Sequence, residues 1–205
     1  MDTKAHWEHV YSTKESNAVS WFQPHATLSM QLISETRVSP DAAIIDIGGG
    51  ASMLVDDLMA GGFSNLTVLD LSLAALSAAQ ARLGQDATRV QWKEVNIINA
   101  DLPDQTYDVW HDRAVFHFLT MAEDRKAYFN LAQRSVKKGG YVIIATFAED
   151  GPTQCSELPV IRYSVPALQA ELGSNFTLIR SQEELHGTPF NTTQKFIYCL
   201  FQLMN

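Results

Sequence analysis

Residues 42–52, AAIIDIGGGAS, restrict what this chain can become more than any other stretch. Ala43, Ile44, Ile45 and Ile47 form a short apolar, β-branched run closed by three glycines, the pattern of a strand buried on both faces. Asp46 interrupts the run. Burying a carboxylate unpaired is costly, so Asp46 must meet backbone amides or reach a ligand beyond the strand's carboxyl end. Gly48, Gly49 and Gly50 permit positive φ and the close approach of a bulky ligand. Met53, Leu54 and Leu58 mark the face of a following helix that carries Asp56 and Asp57 and ends at Gly61-Gly62. Its N-terminus turns free amides toward the same place.

A second apolar run, Leu66, Val68 and Leu69, ends in Asp70. An acid there can accept both hydroxyls of a ribose where nucleosides bind across a strand-order reversal. A dinucleotide signature requires a glycine three residues after Gly50, and Met53 stands there instead, so the pyrophosphate grip is missing. What remains suits a nucleoside without phosphate. Strand, D-x-G-x-G, helix, then strand and Asp, resembles the S-adenosylmethionine (SAM) pocket of the class I, seven-stranded Rossmann-like methyltransferases. The resemblance implies an α/β fold of three layers, a mostly parallel seven-stranded sheet with a C-terminal antiparallel hairpin. It also implies SAM as cofactor, released as S-adenosylhomocysteine. Carried over onto this sequence, the cofactor-binding positions are Asp46, Gly48, Gly49, Gly50, Ser52, Asp70, Leu71, Asn96 and Ile97, with Trp21 among N-terminal aromatics that fold over the methionine end. Asn96 departs from the aspartate common in the family, although its amide oxygen still accepts a bond from an adenine amino group.

Around that centre the chain alternates strand and helix, as a parallel sheet requires. Trp7, Val10 and Tyr11 have helical spacing, and Leu28, Leu32 and Ile33 resume a helix that stops before Pro40. Residues 73–83 read as an alanine-rich helix with Leu73, Leu76 and Leu83 near one face, and Val90, Trp92 and Val95 as a third strand. Residues 107–113 begin as a fourth strand and end in polar side chains. Ala127, Tyr128, Leu131 and Ala132 mark a helix closed by Lys137-Lys138-Gly139-Gly140, and residues 141–147 a fifth strand. Residues 166–172 form a short helix, and two strand-like runs at 176–181 and 195–202 follow without a helix between them, which implies an antiparallel pair.

The 205 residues suit one domain, with a helical cap over 1–40, a SAM-binding core over 41–147 and an acceptor-side loop, helix and hairpin over 148–205. A net charge of −8 argues against a nucleic-acid partner, no apolar stretch has membrane-spanning length, and the start is too polar for a secretory signal. Two cysteines make a disulfide framework implausible and a cytoplasmic setting the expectation. No feature speaks to oligomeric state.

In the family the residues leaving the fourth strand line the gap between methyl donor and acceptor. His111 is therefore the candidate base, Asp112 its orienting partner, and Arg113 a substrate-binding candidate. His117 either joins them or packs among Phe116, Phe118 and Leu119. Residues 148–164 lack periodicity and are read as acceptor-binding, with Cys155, Arg162 and Tyr163 as candidates and Cys155 offering a thiolate to a soft group. Cys199 is read as core. The expected reaction is in-line methyl transfer to a small molecule. The alternatives are a protein lysine methyltransferase, suggested by a faint likeness of residues 111–114 to an Asp-Lys-Gly turn in one branch, and a non-catalytic SAM- or nucleoside-binding domain.

Overall fold

The computed structural model describes residues 3–204. In chain order the elements are α1 (Thr3–Thr13), α2 (Thr27–Glu35), β1 (Ala43–Ile47), α3 (Leu54–Ala60), β2 (Asn65–Asp70), α4 (Leu73–Leu83), β3 (Val90–Glu94), β4 (Tyr107–Arg113), α5 (Ala122–Ser135), β5 (Val136–Phe147), β6 (Gln154–Cys155), β7 (Leu158–Pro159), α6 (Val165–Leu172), β8 (Phe176–Gly187) and β9 (Thr193–Leu203). Seven strands form one sheet in the order β3-β2-β1-β4-β5-β9-β8. β1 to β5 run parallel, while β9 is antiparallel to both β5 and β8. The strand order reverses between β1 and β4, which opens a crevice at their carboxyl ends.

Strand alternation sends successive side chains to opposite faces. Ile45, Ile47, Trp110 and Ile144 join the cluster that includes Tyr128 and Leu131 of α5 and Leu168 of α6. Ile44, Val109 and Ile143 join the cluster of Leu32 and Ile33 from α2, Leu54 and Leu58 from α3, and Leu76 from α4. Hence the three layers. In α4 the buried stripe is Ala75, Leu76 and Ala79, and Leu73, in the first turn, is exposed although its spacing from Leu76 suggested the same face.

The expected break at Lys137-Lys138-Gly139-Gly140 is not a turn between helix and strand. α5 ends at Ser135, and the four residues lie inside β5, beside an irregularity in its pairing with β4. Gly139 takes a φ of 75°, which a side chain would resist, and Lys137 reaches the Asp108 carboxylate at 2.7 Å. The hairpin strands are likewise longer than the apolar runs alone indicated, because β8 is an edge strand whose outer residues are polar and exposed.

Candidate active site

Two adjoining cavities lie at the crevice. The larger, about 200 Å³, is lined on one side by Ile47, Gly48, Asp70, Leu71, Asn96 and Ile97, and on the other by aromatic side chains. The smaller, about 60 Å³, is lined by Ser29, Asp46, Gly48, Gly49, Ser52 and His111. Tyr11, Trp21, Gly48 and Arg113 line both.

The glycine turn is shaped by its surroundings. Gly48 has a φ of 68°, and a Cβ there would collide with Val115 from the turn after β4. A Cβ on Gly50 would strike the Asp70 carboxylate, and one on Gly49 would strike Asp46. The Gly48 and Gly49 amides both donate to the Leu69 carbonyl, holding the turn against the end of β2.

Asp70 closes β2. Its Oδ1 accepts from the Ser72 backbone N–H at 2.8 Å. Burial raises its carboxyl to about 7, Asp46 and Glu8 add to the rise, and the Ser72 and Leu71 amides oppose it. A buried acceptor that is costly to ionise alone is suited to a ligand that brings hydroxyl donors. Asn96 caps the short helical turn Ile97–Asn99, its Oδ1 accepting from Ile98 N–H at 3.2 Å, and it stands with Ile97 at the same wall. These residues fit a nucleoside: a carboxylate for a sugar, an apolar wall and an amide for a base, and glycines that leave room between them.

The opposite wall comes from α1 and the segment after it. Trp7 meets Trp21 edge-on at a 5.5 Å centroid distance and Phe118 at 5.2 Å, and the Trp21 indole N–H donates to the Tyr11 hydroxyl at 3.1 Å. The sequence reading singled out Trp21 from this group. The spacing of Trp7 and Tyr11, one helical turn apart, was the available signal for the rest. α1 is held in place by Glu8, which accepts from the Ser72 hydroxyl at 2.7 Å and from Ala74 N–H at 3.1 Å, at the N-terminus of α4 where a carboxylate is favoured. Lys4 pairs with Glu94 at 2.6 Å, and His6 bonds Ser156 at 3.1 Å, between β6 and β7. Neither Glu8 nor Ser29 carried a motif that could mark it.

Four candidates, His111, Asp112, Arg162 and Tyr163, are placed differently from expectation, and His117 takes the packed alternative. His111 and Asp112 point to opposite faces of β4, as neighbours in a strand must. His111 lies beside Asp46 in register on β1, its Nδ1–H donating to Asp46 Oδ1 at 2.7 Å and its Nε2 meeting the Ser29 hydroxyl at 2.8 Å. Both ring nitrogens are engaged, so it is not a free base. Asp112 is fully buried and accepts from Tyr128 O–H at 2.6 Å and from Val115 N–H at 3.0 Å and Phe116 N–H at 3.1 Å. It shapes the turn under the cavity rather than facing it. His117 stacks near Phe118 and Phe147 with no exposed surface, and burial lowers it to about 3, which leaves a neutral core imidazole. Tyr163 packs in the core at 5.5 Å from Phe116, and Arg162 is exposed and donates to the Gly151 carbonyl. Neither lines a cavity.

Arg113 and Cys155 stay at the site. Arg113 donates to Tyr198 O at 2.7 Å and to the Trp21 carbonyl at 3.0 Å, lies over the Phe196 ring, and sits 3.7 Å from Glu184. Its Nη2 is buried with no hydrogen-bond partner. Burial pushes the Cys155 thiol up to about 12, so it lines the large cavity as a neutral thiol rather than a thiolate. Asp56 and Asp57 serve structure instead of ligand: Asp56 pairs with Arg82, and Asp57 accepts from Ala26 N–H.

Fold and cavity together define a Rossmann-like protein whose crevice fits a nucleoside, with a second, smaller cavity adjoining the first. A methyltransferase-domain family model matches residues 45–144, which carry the glycine turn and both strand-end acids. These residues carry a methyltransferase domain, and the whole chain is similar in fold to SAM-dependent methyltransferases. It is 27% identical, over 71% of its length and 69% of the relative's, to a Danio rerio protein named EEF1A lysine methyltransferase 2. A Mus musculus protein named EEF1A lysine methyltransferase 4 is 29% identical over 51% of the chain, which spans only 40% of that relative. A SAM-dependent methyltransferase from Anabaena variabilis superposes with a TM-score of 0.76 at 13% identity, over 99% of this chain and 96% of the other. A Burkholderia thailandensis 1,6-didemethyltoxoflavin N1-methyltransferase with bound S-adenosylhomocysteine superposes with a TM-score of 0.71 at 18% identity, over 88% and 78%. At these identities the structural likenesses show the fold.

Proposed function

We propose that this SAM-dependent methyltransferase acts on a small molecule enclosed between α1 and the turn after β4, with Asp70, Leu71, Asn96 and Ile97 holding the adenosine and Asp46, Gly48, Gly49 and Ser52 the amino-acid end. The observation that carries the reading is the aromatic wall: Trp7, Tyr11, Trp21 and Phe118 close the larger cavity from outside, and α1 is tied down on three sides. A side chain presented by a folded protein needs an open channel, and an aromatic wall over the cavity narrows such access.

When bound, the cofactor supplies an electrophilic methyl group on a sulfonium. The chain's task is then to exclude water and hold the acceptor lone pair in line, and positioning of that kind contributes about 7–11 kcal/mol in well-oriented systems. The aromatic faces favour the cationic sulfonium. Arg113, which lines both cavities and whose Nη2 makes no hydrogen bond although it lies 3.7 Å from Glu184, is the group available to an electronegative atom of the acceptor. With His111 engaged and Asp112 turned away, no free base faces the cavity from β4. That favours acceptors that already carry a free lone pair near neutrality, such as ring nitrogens or ionised thiolates, over ammonium groups.

A second reading is favoured by the names of the sequence relatives, protein lysine methylation. Transfer of tritiated methyl from SAM into a fractionated lysate separates the two. Label in the small-molecule fraction is the expected result, and label confined to one protein band overturns the small-molecule reading.

A further inference from the structure

The smaller cavity contains a chain of three buried polar side chains that the adenosine site does not use. Ser29 of α2 meets His111 of β4 at 2.8 Å, and His111 meets Asp46 of β1 at 2.7 Å. All three are 4% exposed or less. A carboxylate can only accept, so the shared proton sits on His111 Nδ1, and the other ring nitrogen is left to accept from the serine hydroxyl. Asp46 Oδ1 is thereby committed, while Oδ2 lies over Gly49, whose missing side chain is what allows it there. The same three groups in the same order perform nucleophilic hydrolysis elsewhere. Here Ser29 has no exposed surface inside α2, so no substrate carbonyl reaches its hydroxyl. The chain is built to hold Asp46, not to attack.

We propose that Ser29 and His111 are positioning residues for the cofactor's amino-acid end: they fix the Asp46 carboxylate so that its second oxygen receives the α-ammonium group in the small cavity. This rests on the SAM-binding reading above. Two features point to an ammonium there. The cavity joins the adenosine cavity at Gly48, so a ligand whose ribose meets Asp70 has its tail on the Asp46 side. The wall also presents a carboxylate oxygen beside Gly49, with no side chain between. Held from behind by a donor, that carboxylate needs no reorganisation when the ligand enters, which is the gain from a preorganised site.

The test is calorimetric and needs no acceptor. S-adenosylhomocysteine carries the ammonium group, and 5′-methylthioadenosine has the same nucleoside without the amino acid. His111→Ala and Asp46→Asn should each weaken S-adenosylhomocysteine binding about tenfold or more, and leave 5′-methylthioadenosine within about twofold of the unaltered protein. Ser29→Ala should weaken only the former, about threefold, and Ser29→Thr should restore it. Equal losses for both ligands would mean that the chain merely packs α2 on the sheet, and the proposal fails. It fails equally if His111→Ala binds S-adenosylhomocysteine normally. Ser29→Ala removes a single oxygen, so its ligand ratio decides the matter should His111→Ala not fold. If the unaltered protein binds neither compound, the cofactor reading falls first and takes this one with it.

Discussion

Asp70 works under opposing demands. In the proposed role its carboxylate must be ionised to accept two ribose hydroxyls, yet burial holds its carboxyl near 7. Ligand binding is therefore coupled to proton release. As pH rises from about 6 to about 8 the affinity for S-adenosylhomocysteine should increase, because the acceptor form becomes populated. Asp70→Asn should lower affinity about 10- to 100-fold at pH 8, the scale of losing charge-assisted hydrogen bonds, and abolish the pH slope. Calorimetry at three pH values checks both, and a slope that survives the substitution assigns the titration elsewhere. The neighbouring acid on β4 has a different fate. Tyr128, Val115 and Phe116 saturate the Asp112 carboxylate, and Trp110 in turn donates to Tyr128 at 2.8 Å. A residue so committed does not turn over substrate.

At the scale of elements, α1 is a roof fastened by a cap it lends to another helix. Ser72 caps α4 conventionally, its hydroxyl accepting from Ala75 N–H at 3.1 Å, and Glu8 adds a carboxylate to the same helix end. Such a contact contributes about 1 kcal/mol, and it is made only when α1 lies over the cavity. Glu8→Ala should therefore speed S-adenosylhomocysteine release by about fivefold, since 1.4 kcal/mol corresponds to tenfold in rate. Stopped-flow fluorescence reports it directly, because Trp7 and Trp21 line the cavity. A lowered melting temperature with unchanged release would make the contact a cap for α4 and nothing more.

For the whole molecule, the displaced groups set a pH profile of stability. Asp70 and Asp112 have carboxyls raised by burial, to about 7 and about 6. Each favours the folded state while protonated, and that contribution is lost as pH rises through the raised value. His117, lowered by burial to about 3, acts the other way: the unfolded chain takes up a proton below 6.5 and the folded one does not, so stability is lost as pH falls through that window. The two effects oppose each other in acid. Between pH 6.5 and about 8 the rise of Asp70 acts without that opposition, so the ligand-free protein should melt lower at the upper end. Asp70→Asn should remove most of that fall in thermal denaturation scans. What the sequence determined by itself was whatever depends on local pattern. Strands and helices follow from periodicity, the bend from three glycines, and the acid proposed for the sugar from its place at a strand end, which is why Gly48, Asp70, Leu71, Asn96 and Ile97 were all legible as neighbours along one cavity wall. Which side chains face one another is a matter of register and face, and these exist only once strands pair. His111 and Asp112, adjacent in sequence, part to opposite sides of the sheet, while Ser29, His111 and Asp46, separated by 82 and 65 positions, close within hydrogen-bond reach because β1, β4 and α2 bring them together.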